Sequence, residues 1–389
     1  MLERHVWNNI AATLGLAFLI IWFRNPSAFM NPQFMVDDGP AFFLANFEHG
    51  ISALLLPHNG YLHVMPRLMA WFAGFFTLEM QPAAFVGMSS VLMAALVVYL
   101  LTSSLGWKHK ELYALAIFLI PCRPFVYLHL TNTQWFAALF LLVAILQPVP
   151  KSGQRRFWDY TFVLLTSLSG PFCLIFLPLA LYRIFRQGFN RYRSMITGLL
   201  SLGAGLQVLT FTIHSTIPSE SGFVHFSLSQ ISRFASLLLF GRYAMPWLGL
   251  VALLILAVAA FFAFQGALSE TRKDLIGIVL VGGVLALVTF YRMDAIIRNV
   301  HPFLMDTRYF LLPHILTAFF FLLAREGDRL ARISATLVLA LMLLSSASHF
   351  VEKPVRDYGW ASYCDDMRAG KAVLVPIPWD GWQIAVNQK

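Results

Sequence analysis

Two carboxylates stand side by side at Asp37 and Asp38, followed by Gly39-Pro40, a turn signal. The stretch after them, Pro40 to Phe47, reads as an apolar-faced helix lying along a membrane surface. A carboxylate pair at the start of such a helix suits general-base chemistry. Partial desolvation and repulsion between like charges are expected to raise one pKa toward neutrality. Either acid can be the reactive one, and the competing role for one of them is a helix cap.

A second cluster follows in a Pro- and Gly-broken run from Leu56 to Leu68, which carries His58, Asn59, Tyr61, His63 and Arg67. Irregular backbone at a membrane is tolerated where it lines a cavity. Asn, His and Tyr offer donors and acceptors for sugar hydroxyls, and arginine takes a phosphate through paired N–H groups. An interfacial belt accounts for Tyr61 and Arg67 but leaves the histidines unexplained. Further candidates are Arg123, in the segment from Pro121 to Trp135, then Arg298, and Arg308 with Tyr309. Several arginines at one membrane face suit a lipid phosphate, although each alone can snorkel to headgroups. The joint Ser167-Leu-Ser169-Gly170-Pro171-Phe172 suits close helix packing, with a wall of the cavity as the alternative. Trp379 and Trp382 punctuate a Pro-rich end that reads as a short extended segment over the same face, able to stack on a sugar.

Missing motifs narrow the chemistry. No Gly-rich phosphate loop, Gly-x-Ser-x-Gly elbow or His-Glu-x-x-His zinc motif occurs. Three cysteines are too few for a disulfide framework or a metal knuckle, and no convincing set of metal ligands stands out. A donor already in the membrane is expected, rather than a nucleotide.

The elements that must position these residues follow from composition. The 389 residues are 58% hydrophobic and 12% charged, with a mean hydropathy of +0.68. A soluble domain carries about 25% charged residues. Apolar runs long enough to cross a ~30 Å hydrocarbon layer recur, and an all-α polytopic membrane protein is expected. About eleven spans are placed at 6–23, 84–105, 111–122, 135–148, 158–169, 171–184, 194–213, 245–264, 274–291, 309–324 and 331–348. The first is read as retained, because Ile21-Trp22-Phe23-Arg24 is too bulky for a cleavage site. Lys and Arg are denser on the short loops of one side, which orients the N-terminus to the cytoplasm and the C-terminus outward. The net charge of +9 is read as this bias and not as a nucleic-acid footprint. Twelve of the 19 acidic residues and nine of the 11 histidines then fall on the outer side, where any chemistry belongs. Residues 1–349 form the membrane domain, with 24–83 as its first outer loop, and 350–389 form a short outer tail.

An acidic pair in the first outer loop, a surface helix after it and a many-span basic body resemble the C-type glycosyltransferase fold (GT-C). The likeness extends to Asn59-Gly60-Tyr61-Leu62-His63, Pro66-Arg67, Arg308-Tyr309-Phe310 and the Pro-Ile-Pro-Trp-Asp-Gly-Trp ending. In these it resembles bacterial integral glucosyltransferases that decorate O-antigen. The resemblance implies a hexosyltransferase of the bacterial inner membrane, working on the periplasmic face. Its donor would be a polyprenyl-phosphate-linked sugar and its acceptor a surface or lipid-linked glycan, with membrane lipids around it. Asp37 or Asp38 would deprotonate the acceptor hydroxyl, and Arg67 and Arg308 would hold the leaving phosphate. Some relatives use a divalent metal ion there, which is left open. The rival readings are a lipid-linked sugar flippase or transporter, another glycan-lipid enzyme such as a polymerase, ligase or acyltransferase, and a noncatalytic scaffold.

Overall fold

In lipid, backbone N–H and C=O groups find no water, so an apolar chain satisfies them internally by forming helices. The structure, a computed structural model, describes residues 2–214, 227–241, 246–299, 308–350, 354–378 and 381–387, apart from the side chains of 2–5, 246, 270 and 291–299. It is 77% helical. In chain order the helices are α1 (Leu2–Arg24), α2 (Pro26–Met30), α3 (Leu44–His49), α4 (Val64–Ala73), α5 (Gln81–Leu101), α6 (Lys110–Leu119), α7 (Thr133–Leu146) and α8 (Gly153–Ser167). There follow α9 (Phe172–Gln187), α10 (Arg191–His214), α11 (Leu228–Phe240), α12 (Pro246–Gly266), α13 (Ser269–Asn299), α14 (Arg308–Ala324), α15 (Arg329–Ala347) and the short α16 (Cys364–Arg368).

Each of the eleven expected spans falls on a helix, but the count of full spans is corrected. Among the described residues six helices are long and apolar enough to cross a membrane: α1, α5, α10, α12, α13 and α15. They leave Trp7, Val91, Leu254, Leu287 and Leu344 exposed. An apolar exterior on this scale belongs in lipid. By contrast α6, with ten residues, reaches only about 15 Å at 1.5 Å per residue. In α7 every side chain is buried, and α14 is buried along nearly its whole length. Their apolar character comes from enclosure by neighbouring helices, and hydropathy alone cannot separate that from contact with lipid. A second correction concerns 214–244, expected as an outer loop: part of it forms α11, which packs on α12 and α15.

Polar residues inside the bundle act as fasteners. Asp159 is fully buried and accepts from Tyr99 Oη at 2.5 Å, Tyr192 Oη at 2.8 Å, Gln147 Nε2 at 2.8 Å and Arg155 Nε at 3.0 Å, which ties α5, α8 and α10 together. At the other end of the bundle Arg24 is also fully buried. Its guanidinium donates to the carbonyls of Phe118, Ile120 and Cys122 and to Ser346 Oγ, which joins α1, the end of α6 and α15.

The acidic loop departs from the expected surface helix. Val36–Asp38 is a 3₁₀ turn, Gly39–Phe43 a single π turn, and only then does α3 begin. Phe42 and Phe43 are buried rather than turned to the membrane. They join a core with Phe34, Phe85, Trp360 and the chain's end. That end is a hairpin, β1 (Val373–Pro376) antiparallel to β2 (Gln383–Val386), with Val375 opposite Ile384. The extended tail expected over the outer loop is thus a hairpin that closes over the acidic segment. Trp379 lies outside the described residues, and Trp382 is partly buried against this core.

Candidate active site

Asp38 and Asp37 share a turn but have different surroundings. Asp38 is 2% exposed. Its Oδ1 accepts from Thr131 N at 2.7 Å and Thr131 Oγ1 at 2.6 Å, and its Oδ2 accepts from Leu130 N at 3.1 Å. These bonds anchor the acidic loop to the turn that leads into α7. Leu128, two residues before that anchor, has φ of 65°, and Val36, just before Asp37, has φ of 45°. A β-branched residue in the left-handed region is strained. Here the strain turns consecutive acids to opposite environments.

Asp37 faces a cavity of about 610 Å³. Arg308 Nη1, at the first residue of α14, donates to its Oδ2 at 3.3 Å, and His58 Nε2 lies 3.6 Å from its Oδ1. Burial pushes the Asp37 carboxyl up, but the hydrogen bonds and charges of His58 and Arg308 overcome it and hold the group below the usual carboxylate range. This corrects the expected rise toward neutrality. The acids do not confront each other, and a cation stands where the second carboxylate was expected to act.

The wall opposite Asp37 is a tight turn. His58 N donates to Tyr61 O at 2.9 Å and Tyr61 N to His58 O at 3.1 Å, around Asn59 and Gly60 with φ of 50° and 81°. Two positive φ values in succession favour Asn-Gly. The following residues are pinned from behind: Gln207 Oε1 of α10 accepts from Leu62 N at 2.9 Å, and Gly170 N donates to Leu62 O at 2.8 Å. Ser169 Oγ accepts from Met65 N at 2.8 Å, so the Ser167–Gly170 joint serves close packing, as expected. His63 is buried, and desolvation with the neighbouring His58 pushes its pKa down to about 3. Its Nδ1 meets the Tyr61 carbonyl at 3.1 Å. A carbonyl accepts only, so Nδ1 carries the hydrogen and Nε2 is left as an acceptor.

Of the residues singled out by sequence, Asp37, His58, Asn59, Tyr61, His63, Arg308 and Tyr309 line the one cavity. Asp38 serves as the anchor behind it. Arg67 lies apart from the cavity wall: it is buried, donates to Ala41 O at 3.3 Å and sits over the Phe42 ring at 5.3 Å, with its pKa lowered to about 10 by burial. It braces the acidic loop from within. Arg123 is not on the cavity wall either. Arg298 falls in the last turn of α13, and its side chain lies outside the described residues.

Pro171 and Phe172, from the joint weighed as a cavity wall, do line it, but the sequence reading gave no role to the rest of the lining. Thr131 enters from the turn before α7 and Gln134 and Trp135 from its first turn, where polar residues crowd against a helix of otherwise apolar composition. Phe172 and Ile175 of α9, Phe211 of α10, and Val284 and Val288 of α13 carry no chemical signal at all. They give the cavity a second character. Asp37, His58 and Arg308 stand together in its polar part, and α9, α10 and α13 contribute a mostly apolar lining. Trp135 stands edge-on to both Phe172 and Tyr309, and Tyr61 stacks on Phe211, so aromatic rings band the boundary.

No family model, curated protein or solved structure matches the chain. Among the described residues no group of three His, Cys, Asp or Glu side chains could hold a metal ion, and Asp37 with His58 supplies two ligands.

Proposed function

We propose that this protein is a membrane glycosyltransferase that moves a sugar, a hexose by the resemblance, from a polyprenyl-phosphate carrier to a surface glycan such as O-antigen. One observation carries the reading. A cavity that combines a clustered acid, arginine and histidine with a mostly apolar lining from α9, α10 and α13 suits a charged headgroup on a hydrocarbon chain. The finer architecture, a GT-C-like body in the bacterial inner membrane with this cavity on the periplasmic face, belongs to the same proposal.

In this mechanism Arg308 takes the donor phosphate, whose oxygens compete with Asp37 for the guanidinium. Asp37, losing part of its cation while still buried, becomes a stronger base. Its carboxylate accepts the proton of an acceptor hydroxyl as that oxygen bonds to the anomeric carbon. The bond from the anomeric carbon to the phosphate oxygen breaks, and its electron pair leaves on the lipid phosphate beside Arg308. Asn59, Tyr61, the neutral His63 and Gln134 supply hydrogen bonds for sugar hydroxyls. The polar groups come from loops and helix ends rather than broken mid-membrane helices, which favours an enzyme over a transporter.

The test is surface-glycan mass spectrometry in a deletion strain complemented with wild type, Asp37→Asn or Arg308→Met at matched membrane levels. Loss of one hexose unit in the deletion, restored by wild type and by neither variant, is expected. Wild-type glycan with both variants overturns the reading. Donor lipid accumulating on the cytoplasmic leaflet transfers it to a flippase.

A further inference from the structure

Behind the acidic loop lies a second, small chamber of about 20 Å³, walled by Val36, Phe125, His129, Asn132 and Arg308. Two of these residues carry a buried polar atom with no hydrogen-bond partner among the described residues: His129 Nε2 and Asn132 Oδ1. The Asn132 oxygen is an acceptor, and His129 Nε2 is one in the tautomer that carries its hydrogen on Nδ1. The Asn132 amide nitrogen donates to Val126 O at 3.2 Å, which settles the orientation of the amide and leaves its oxygen without a donor. His129 is 7% exposed, and its Nδ1 lies 3.6 Å from Asp38 Oδ2. In the tautomer that carries its hydrogen on Nδ1, toward that carboxylate, Nε2 presents a lone pair.

Two acceptors cannot satisfy each other, and buried acceptors without donors are costly. Of the other polar walls, Thr131 gives its hydroxyl hydrogen to Asp38, and the Arg308 guanidinium only donates. One molecule answers all three demands: a water gives a hydrogen to each acceptor and takes one from the arginine. A volume of about 10–15 Å³ suffices for a water, and two to four polar partners hold it. We propose that this chamber is a built water site in which one ordered water donates to His129 Nε2 and Asn132 Oδ1 and accepts from Arg308. His129 is thereby a positioning residue. Through the water it ties the Asp38 anchor to the guanidinium that holds Asp37, and it fixes that guanidinium between the carboxylate and the cavity.

The consequence for Asp37 rests on the catalytic reading above, whereas the water site itself does not. The charged and titratable groups around His129 are Asp38, Arg308 across the chamber, and Arg24 across a neighbouring cavity that His129 also lines. Those facing Asp37 are His58 and Arg308. When the water loses an acceptor, Arg308 is less fixed and Asp37 less clamped, so its carboxyl moves up.

The deciding experiment is an experimental structure of the full chain at a resolution that shows waters, with His129→Phe and Asn132→Leu beside wild type. A water peak within hydrogen-bond distance of all three groups in wild type, lost in His129→Phe, is expected. A dry chamber in wild type overturns the proposal whatever the enzyme does. Kinetics on the same proteins read the coupling. The acid limb of kcat/KM is expected to rise by about one pH unit in His129→Phe, with no further shift in an Arg308→Met background. An unchanged limb in both variants removes the positioning role. Absence of transfer by wild type indicts the glycosyltransferase reading and leaves the water to stand or fall on the density.

Discussion

Asp37 Oδ2 and Arg308 Nη1 meet at 3.3 Å across 271 residues of sequence, one from a 3₁₀ turn in the first long loop and the other from the opening of α14. Neither partner is fully buried, which under the proposed mechanism suits a pair that opens to admit an anionic headgroup. Burial alone would raise the Asp37 carboxyl, and the pair with Arg308, together with His58, reverses the sign. Removing the cation therefore leaves desolvation less opposed. In Arg308→Met the acid limb of the transfer rate is expected to move upward from below the usual carboxylate range. The rate at its plateau is expected to fall by about 10²–10³-fold, the usual scale for losing a group aimed at developing charge. A pH–rate profile on purified protein with a short-chain prenyl-phosphate sugar checks both. The stability contribution has the matching sign. A depressed carboxylate stabilises above its ordinary value of 3.8 and loses that contribution as pH falls below it.

The two neighbouring acids are expected to fail in different ways. Asp37→Asn keeps the shape of the cavity and removes the proposed base, so transfer drops by about 10²–10⁴-fold while the melting temperature falls less than in Asp38→Asn. Asp38→Asn weakens an acceptor that serves Leu130 N, Thr131 N and Thr131 Oγ1 in a buried setting. Its cost is stability, on the order of 2–3 kcal/mol, with activity lost in step with the folded fraction. Thermal unfolding in detergent alongside the transfer assay separates the two. An Asp38→Asn protein that is fully stable and dead would reverse the assignment.

This division between the acids marks the limit of what could be read from the chain. The acidic pair, the polar run from His58 to His63 and the arginine opening α14 are local features, because charged groups in a greasy sequence are conspicuous. Which acid turns to the cavity is decided by backbone donors 92 and 93 residues further on, and such donors belong to every residue type alike. Arg67 misleads for the same reason: a helix-start arginine beside a membrane looks alike whether it meets a phosphate or, as here, the Ala41 carbonyl and the Phe42 ring. The apolar wall of the cavity was invisible because Phe172, Ile175 and Val284 use the same side chains as any lipid-facing helix.

His63 gives the acid side of the stability curve a recognisable slope. Its folded-state pKa of about 3 lies below the ordinary 6.5, so the unfolded chain binds a proton that the native protein refuses. Stability is therefore expected to fall as pH drops through this interval, by about 1.4 kcal/mol per pH unit for one proton. Between pH 6 and 4 the melting temperature of His63→Phe is expected to decline less steeply than that of wild type. Parallel curves would mean that His63 is protonated in the native protein or titrates normally there.

The chain's last hairpin sets the position of the acidic turn from outside it. Gly39 follows Asp38 directly with φ of −75°, a value open to any residue, so its lack of a side chain answers to space and not to backbone. A Cβ at Gly39 would stand 2.5 Å from Ile384 Cδ1 and 2.6 Å from Ile384 Cγ1, where Ile384 is fully buried in β2. Gly39→Ala must push either the hairpin or the acidic turn. Overpacking of this kind costs about 1–3 kcal/mol, and a displacement of about 1 Å at a reacting group is enough for a 10²-fold loss of rate. Ile384→Ala alone opens a void, at about 2–5 kcal/mol, without pressing on Asp37, so it is expected to lower stability more than turnover. Combined, the two changes relieve each other: the new methyl enters the space that the isoleucine vacated. Gly39→Ala/Ile384→Ala is therefore expected to recover most of the transfer rate lost in Gly39→Ala, with a coupling of about 1–3 kcal/mol in stability. Measuring all four proteins by unfolding and by turnover closes the cycle, and additive effects in both would release the hairpin from any part in placing Asp37.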